Sequence, residues 1–274
     1  MQSSSSLQVD ARDINYTTSE KLGWGTYSSV YKGTLARAET SIPVAVKITN
    51  LKKHDFDYCQ HEMEILALLT ESKTPNVTYL DGYCVSELEF EYRLCIKLAE
   101  YGSLNKHLGT LENHEQESIM LDVTNAVYHL HELDVIHCDI KPGNILLGKN
   151  KTAMLGDFGD AAGTEENDKR KKGTPLFHAP EQVINDSPHT KKTDIYSLGL
   201  TLFCIENKSD DPYTMIKESN TEKKLATIKL SFEYGRRMSL KNVKSDSRRN
   251  AITESLKHEP EKRGTAGKVL SLLR

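Results

Sequence analysis

The stretch His137-Cys138-Asp139-Ile140-Lys141-Pro142-Gly143-Asn144, with Asp157-Phe158-Gly159 thirteen residues after it, decides how this 274-residue chain is to be read. An aspartate, a lysine two residues on, an asparagine five on and a second aspartate eighteen on form a working set. One carboxylate can orient an attacking hydroxyl, one cation can balance a transferring phosphoryl group, and an amide with a second carboxylate suits Mg²⁺. Any Asp–Asn or Asp–Phe–Gly alone would read as a turn. Together, in this order and at this separation, they supply what phosphoryl transfer needs.

Upstream, Gly23-Trp24-Gly25-Thr26-Tyr27-Ser28-Ser29-Val30 places glycines between two strand-like runs. There the backbone can approach phosphates closely and its N–H groups can act as donors. Val44-Ala45-Val46-Lys47 is an apolar strand bearing one lysine, 22 residues beyond Gly25 and 15 before Glu62. Phe56, Cys59, Met63, Leu66 and Leu69 recur at three- and four-residue intervals, which predicts a helix with one apolar stripe carrying Glu62. Glu64, two residues on, is a rival carboxylate on the same predicted helix. Further strands are expected near 78–84 and 92–98, joined by a polar turn at 86–91. After residue 102 the pattern turns helical. Ile119, Met120, Val123, Ala126, Val127 and Leu130 trace an amphipathic helix, and Ile195, Leu198, Leu200, Leu202 and Phe203 are apolar on more than one face, as in a buried helix. Strands first and helices afterwards, with no internal repeat, predict an α+β protein of two lobes with a hinge at Gly102.

Further along stand Gly173-Thr174-Pro175-Leu176-Phe177-His178-Ala179-Pro180-Glu181, then Asp194-Ile195-Tyr196-Ser197-Leu198-Gly199, then Glu261-Lys262-Arg263-Gly264-Thr265-Ala266. The whole ordered series covers most of the chain and resembles eukaryotic-type protein kinases of the serine/threonine branch. That resemblance implies a bilobal fold: a small β-rich N-lobe with one helix over residues 14–100 and a larger helical C-lobe over 101–274. The polar, serine-rich composition of residues 1–13 reads as a disordered tail. The resemblance implies an ATP- and Mg²⁺-dependent enzyme acting on protein hydroxyls. Asp139 would accept or orient the substrate proton, Lys141 would neutralise the γ-phosphate, and Asn144 and Asp157 would ligate Mg²⁺. Lys47, fixed by Glu62, would grip the α- and β-phosphates. Nucleotide contacts would come from Gly23, Gly25, Ser28, Val30, Ala45, Lys47, Glu100 and Leu146, with Val30 above the adenine. Thr174 would reach towards Asp139 and Lys141, Asp194 would tie down the catalytic-loop backbone, and Arg263 would pair with Glu181. Lysine at 141 resembles serine/threonine kinases; tyrosine kinases usually carry a different cluster there.

Two positions depart from the family pattern. Ser28 replaces the third glycine of the phosphate loop, and Cys138 replaces the arginine of the usual His-Arg-Asp. Without that arginine there is no receiver for an activation-segment phosphate, so a kinase that does not need this switch is expected. Cys138 beside Asp139 reads as a buried, inert thiol, because a neighbouring carboxylate disfavours thiolate. The alternative function is a kinase-shaped scaffold that works by binding partners; neither departure removes a catalytic atom. The tract Lys169-Arg170-Lys171-Lys172 follows Glu165, Glu166 and Asp168 and reads as a charge-balanced, solvated loop.

Composition sets the outer bounds. A net charge of −3 gives no bulk reason to expect nucleic acid, and no apolar run, the longest near 198–205, approaches the roughly 20 residues of a membrane span. The Met1-Gln2-Ser3-Ser4-Ser5-Ser6 start has no secretory pattern. Five cysteines without a C-x-x-C pair, and a lone His129-x-His131, predict reduced thiols, no zinc site, and a cytoplasmic or nuclear setting. A protein substrate is expected, a regulatory protein partner is left open, and residues 270–274 end in what should be the last helix.

Overall fold

The structure is a computed structural model describing residues 6–25, 28–52, 56–86, 88–164, 172–236 and 238–274. Five strands make an antiparallel sheet in the order β1-β2-β3-β5-β4: β1 is Ile14–Trp24, β2 Ser28–Arg37, β3 Thr40–Asn50, β4 Leu80–Ser86 and β5 Glu91–Lys97. β3 is rich in β-branched residues and pairs in unbroken register with β2, from Ser28↔Thr49 to Arg37↔Thr40. This register sets Val30 opposite Lys47.

Helix α1, Phe56–Glu71, buries Cys59, Met63, Leu66, Ala67 and Leu69 in a core shared with Leu80, Tyr92 and Leu94 of the sheet. Phe56, expected on that stripe, is 43% exposed at the first turn and touches Tyr92 edge-on at 5.7 Å. The expected disordered tail also differs over its described part, 6–13. The Val9 amide donates to the Tyr83 carbonyl and the Tyr83 amide to the Leu7 carbonyl, both at 2.9 Å, and a 3₁₀ turn Ala11–Asp13 follows. β4 is the sheet edge, whose unpaired groups accept this segment, and Leu7 and Val9 pack on the apolar clusters beneath.

The second half is helical: α2 Asn113–Glu132, α3 Pro180–Asn185, α4 Lys191–Asn207, α5 Thr221–Glu233, α6 Asp246–Ser255 and α7 Ala266–Leu273. α2 buries all six of its predicted apolar positions. α4 is buried nearly all round, from Thr193 to Ile205, and α2, α4, α6 and α7 share one core. Each fully buried leucine or isoleucine contributes about 1.5–3 kcal/mol, so this core is a firm base for the loops above it. Among the described residues no helix is long and apolar enough to cross a membrane.

Two small sheets seat those loops. β7, Val135–Ile136, pairs with β10, Ala162–Gly163; β8, Ile145–Leu147, lies between β6, Gly102–Ser103, and β9, Ala153–Leu155. Residues 137–144 are therefore clamped between β7 and β8, and residues 156–161 between β9 and β10.

Candidate active site

β3 presents Lys47 and α1 presents Glu62, and their charged ends meet: Lys47 Nζ donates to Glu62 Oε1 at 2.7 Å. The same Nζ donates to Asp157 Oδ1 at 2.8 Å, joining the sheet to the segment after β9. Glu64 faces elsewhere, accepting from Gln60 at 2.8 Å, so the choice of Glu62 over Glu64 agrees with the geometry. Burial pulls the Lys47 ammonium towards neutrality, but Asp157 and Glu62 outweigh it and raise its pKa, so the lysine stays charged. Burial raises the Glu62 carboxyl, with Lys47 pulling the other way. Lys47 holds Asp157 below the usual carboxylate range against the effect of burial.

The loop after β7 supplies the second cluster. Asp139 Oδ2 accepts from Lys141 Nζ at 2.6 Å and from Asn144 Nδ2 at 2.8 Å. Its other oxygen, Oδ1, is buried without a hydrogen-bond partner, an acceptor held ready at the centre of the loop. Lys141 Nζ also donates to Thr174 Oγ1 at 2.6 Å, so Thr174 reaches Asp139 through the lysine. The Gly156 amide donates to the Asn144 carbonyl at 2.9 Å, which ties the loop to the residue before Asp157.

Two non-glycine residues here have left-handed backbones: Cys138 at φ +68° and Asp157 at φ +61°. Aspartate tolerates this region; for cysteine it costs about 1–2 kcal/mol. Asp194, at the start of α4, offsets that strain, accepting from the His137 amide at 2.8 Å, the Cys138 amide at 3.0 Å and His131 Nε2 at 3.0 Å. Burial pushes the Asp194 carboxyl up, yet His131 and His137 outweigh it and hold the carboxyl below its ordinary value, so the carboxylate persists.

The Cys138 side chain is 3% exposed and packs with Ile136 and Ala162, which agrees with the inert reading. Across from it, Gly173 has φ +78°, and a Cβ there would stand 2.4 Å from the Cys138 carbonyl oxygen. Only glycine lets the segment pass so close. The Gly173 amide donates to Asp160 Oδ2 at 2.9 Å. Farther on, Arg263 uses all five of its N–H donors. Two pair with Glu181 at 2.9 and 3.0 Å, and three reach the carbonyls of Lys257, Lys192 and His258. Its guanidinium also lies over Tyr196.

The remaining predicted residues fall around these clusters. Ala45, buried, precedes Lys47 by two on β3 and so shares its face. Leu146 on β8 lies against Gly156, where a Cβ would be 3.4 Å from Leu146 Cδ1, and Glu100 stands as close to Gly148. Gly23 pairs with Val30, and the Gly25 amide donates to the Ser28 carbonyl at 2.9 Å, closing the loop on its described side. Thr26 and Tyr27 lie outside the described residues, as do residues 165–171 with most of the basic tract. Lys172, expected to be solvated, is buried, with Nζ 3.4 Å from the Ala161 carbonyl.

Several participants escaped the sequence reading. In the sequence His131 shows only as half of a His-x-His pair. Asp160 follows the Asp-Phe-Gly triplet directly, and that adjacency was its available signal. His61 on α1 bonds the Ala161 carbonyl at 2.8 Å, a long-range contact without a sequence signature.

A family model described as the protein kinase domain matches residues 16–272. The serine/threonine-protein kinase pakE of Dictyostelium discoideum is 32% identical over 190 residues, covering 67% of this chain and 20% of its own length. A second protein of that organism, described as a probable serine/threonine-protein kinase, is 30% identical over 268 residues, 92% of this chain and 15% of its own length. The dual specificity protein kinase shkB, also from D. discoideum, is 26% identical over 223 residues, 77% of this chain and 33% of its own length. The chain thus spans a third or less of the length of these relatives.

Proposed function

Because this chain belongs to the protein kinase family, we propose that it transfers the γ-phosphate of ATP to serine and threonine hydroxyls of proteins, and does so without a phosphate on its own activation segment. One observation carries the proposal. Lys47 is bonded at once to Glu62 and Asp157, while Asp139 is fixed by Lys141 and Asn144 with Oδ1 left without a partner.

In this reading Asp139 Oδ1 accepts the proton of the substrate hydroxyl and aims its oxygen at the γ-phosphorus. Lys141, already spanning Asp139 and Thr174, balances charge on the transferring group. Lys47 holds the α- and β-phosphates, and Glu62 keeps the lysine from swinging away. Asn144 turns its amide nitrogen to Asp139, which leaves its side-chain carbonyl oxygen to serve as a metal ligand together with the half-exposed Asp157 carboxylate. Among the described residues no set of three His, Cys, Asp or Glu side chains is gathered for a metal. Two protein oxygens with phosphate and water completing the shell is what magnesium prefers, so the residues fit that ion. Bound Mg²⁺ would neutralise charge on the phosphate oxygens.

The independence from phosphorylation rests on Cys138. Where most relatives of this type would have an arginine, the chain buries a small thiol. The segment is held instead by Asp160–Gly173, Lys141–Thr174 and the Lys172 carbonyl, which both His178 and His189 engage at 3.0 and 3.2 Å. Thr164 is the one serine or threonine between Asp157 and Gly173. Phosphatase-treated protein, given labelled ATP, Mg²⁺ and a peptide library with serine, threonine and tyrosine acceptors, is expected to label serine and threonine. Thr164→Ala should keep the rate within about twofold of wild type, as suits an exposed position. A folded but inactive Thr164→Ala variant would overturn the independence, and label on tyrosine would overturn the serine/threonine restriction.

A further inference from the structure

α1 turns more than Glu62 towards the segment that follows β9. Tyr58, His61 and Glu62 stand three and four residues apart, which puts them on one face of the helix. Each meets a different point of the segment. Glu62 reaches Asp157 through Lys47, His61 Nε2 donates to the Ala161 carbonyl at 2.8 Å, and Tyr58 stands over Gly159. A Cβ at Gly159 would collide with Tyr58 Oη, and would stand 3.3 Å from Tyr58 Cζ and 3.7 Å from Asp157 Oδ1. The phenol and the Asp157 carboxylate therefore border the same point, and only glycine leaves room for both.

The turn carrying Asp157 needs such a hold. Its backbone is left-handed at Asp157, φ +61°, and residues 156–161 lie between two short strands. Phe158 is fully buried in the main core, with its ring 5.0 Å from that of His137, and anchors the turn there. Tyr58 is half-buried against the same core and meets the residue that follows Phe158. Burial raises the Tyr58 pKa, and the carboxylates of Glu62, Asp160 and Asp157 add to this against the pull of Lys47. The phenol thus stays neutral and brings no second charge to Asp157.

We propose that Tyr58 is a positioning residue for Asp157: it fills the space over Gly159 and so keeps the carboxylate beside Lys47, where it takes up Mg²⁺. The inference rests on the metal role given to Asp157 in the proposed function. With His61 on Ala161, it makes α1 the element that holds residues 157–161 in place, which suits a segment that stands ready without a phosphate. Support of this kind, from a rigid element behind the ligating group, is what a precise metal site requires.

Hydrogen exchange of the nucleotide-free chain tests the hold, and Mg²⁺-dependent binding of ATP tests what the hold is for. Tyr58→Ala is expected to speed exchange of the Ala161 amide, which donates to the Phe158 carbonyl at 3.1 Å, at least about tenfold, while α2 and α4 keep their wild-type rates. The same variant should raise the Mg²⁺ concentration for half-saturation at least about tenfold and leave metal-free ATP affinity within about twofold of wild type. Gly159→Ala should act like Tyr58→Ala, because its methyl displaces the phenol. Adding Tyr58→Phe, which removes Oη alone, should bring the Gly159→Ala chain back to within about threefold of wild type in both measurements. A tyrosine that only packs α1 would lower the melting temperature without this reciprocal rescue. Wild-type exchange at Ala161 in Tyr58→Ala, an unchanged Mg²⁺ requirement in that variant, or a Gly159→Ala chain not restored by Tyr58→Phe would each overturn the proposal. So would a wild-type chain that binds ATP no better with Mg²⁺ than without. A wild-type chain that binds both but transfers no phosphate would instead overturn the proposed activity, with the role of Tyr58 still decided by these measurements.

Discussion

Asp157→Ala is expected to lower phosphoryl transfer by about 10³-fold or more while the chain stays folded. The side chain has two tasks in the proposed mechanism. It offers a carboxylate oxygen to Mg²⁺, and it bonds Lys47 at 2.8 Å. Losing the first removes much of the charge stabilisation that dominates this kind of reaction. Losing the second is milder, because Lys47 keeps Glu62 at 2.7 Å. Stability should move little, since the Asp157 side chain is 53% exposed. The alanine must adopt φ +61°, for which about 1–2 kcal/mol is a fair upper figure. Asp157→Asn tolerates that backbone and keeps the shape but loses the charge. If both variants lose transfer to a similar degree with melting temperatures near wild type, the charge matters. A fully active Asp157→Asn would remove Asp157 from the metal site.

Arg263→Lys should destabilise the chain by about 3–5 kcal/mol, although it keeps a positive charge. Arg263 is 1% exposed and spends five N–H donors on Glu181 and three carbonyls. Lysine has three donors from a single point and cannot reproduce a planar fork. At least two buried acceptors would lose their partners, and the Glu181 carboxylate would lose its two-point pairing. For a domain of this size that corresponds to roughly 6–20 °C in melting temperature. Calorimetry reads this directly; a shift under 2 °C, about the scale of an ordinary surface substitution, would show the cluster to be far less coupled than its geometry indicates.

The residues of the candidate site are more legible in the sequence than the scaffolding that seats them. Asp139, Lys141, Asn144 and Asp157 stand at fixed offsets because one loop and one turn must present them together, so their spacing survives in a linear reading. α1, α2 and α4 were legible from apolar periodicity. β6 to β10 were not, since strands of two or three residues show no period and exist only through their partners. The ordering of residues 6–13 was missed for the same reason. A polar, serine-rich composition describes the isolated segment, whereas Leu7 and Val9 gain their structure from the edge of β4. Asp194 was placed correctly, but its hold on the strained Cys138 backbone required coordinates. Lys172 shows the converse error: a charge run read as solvated ends in a buried lysine on the Ala161 carbonyl.

The most direct test compares the wild-type chain with Asp139→Asn in two assays run together: γ-phosphate transfer from ATP to a generic serine-containing acceptor, and equilibrium binding of ATP with Mg²⁺. Asparagine keeps an acceptor for Lys141 and removes the carboxylate oxygen that stands without a partner. The predicted result is a loss of transfer of about 10²–10⁴-fold with nucleotide affinity within about threefold of wild type. Wild-type transfer no greater than that of Asp139→Asn, with both proteins binding nucleotide, would contradict catalysis by this cluster and leave a nucleotide-binding scaffold.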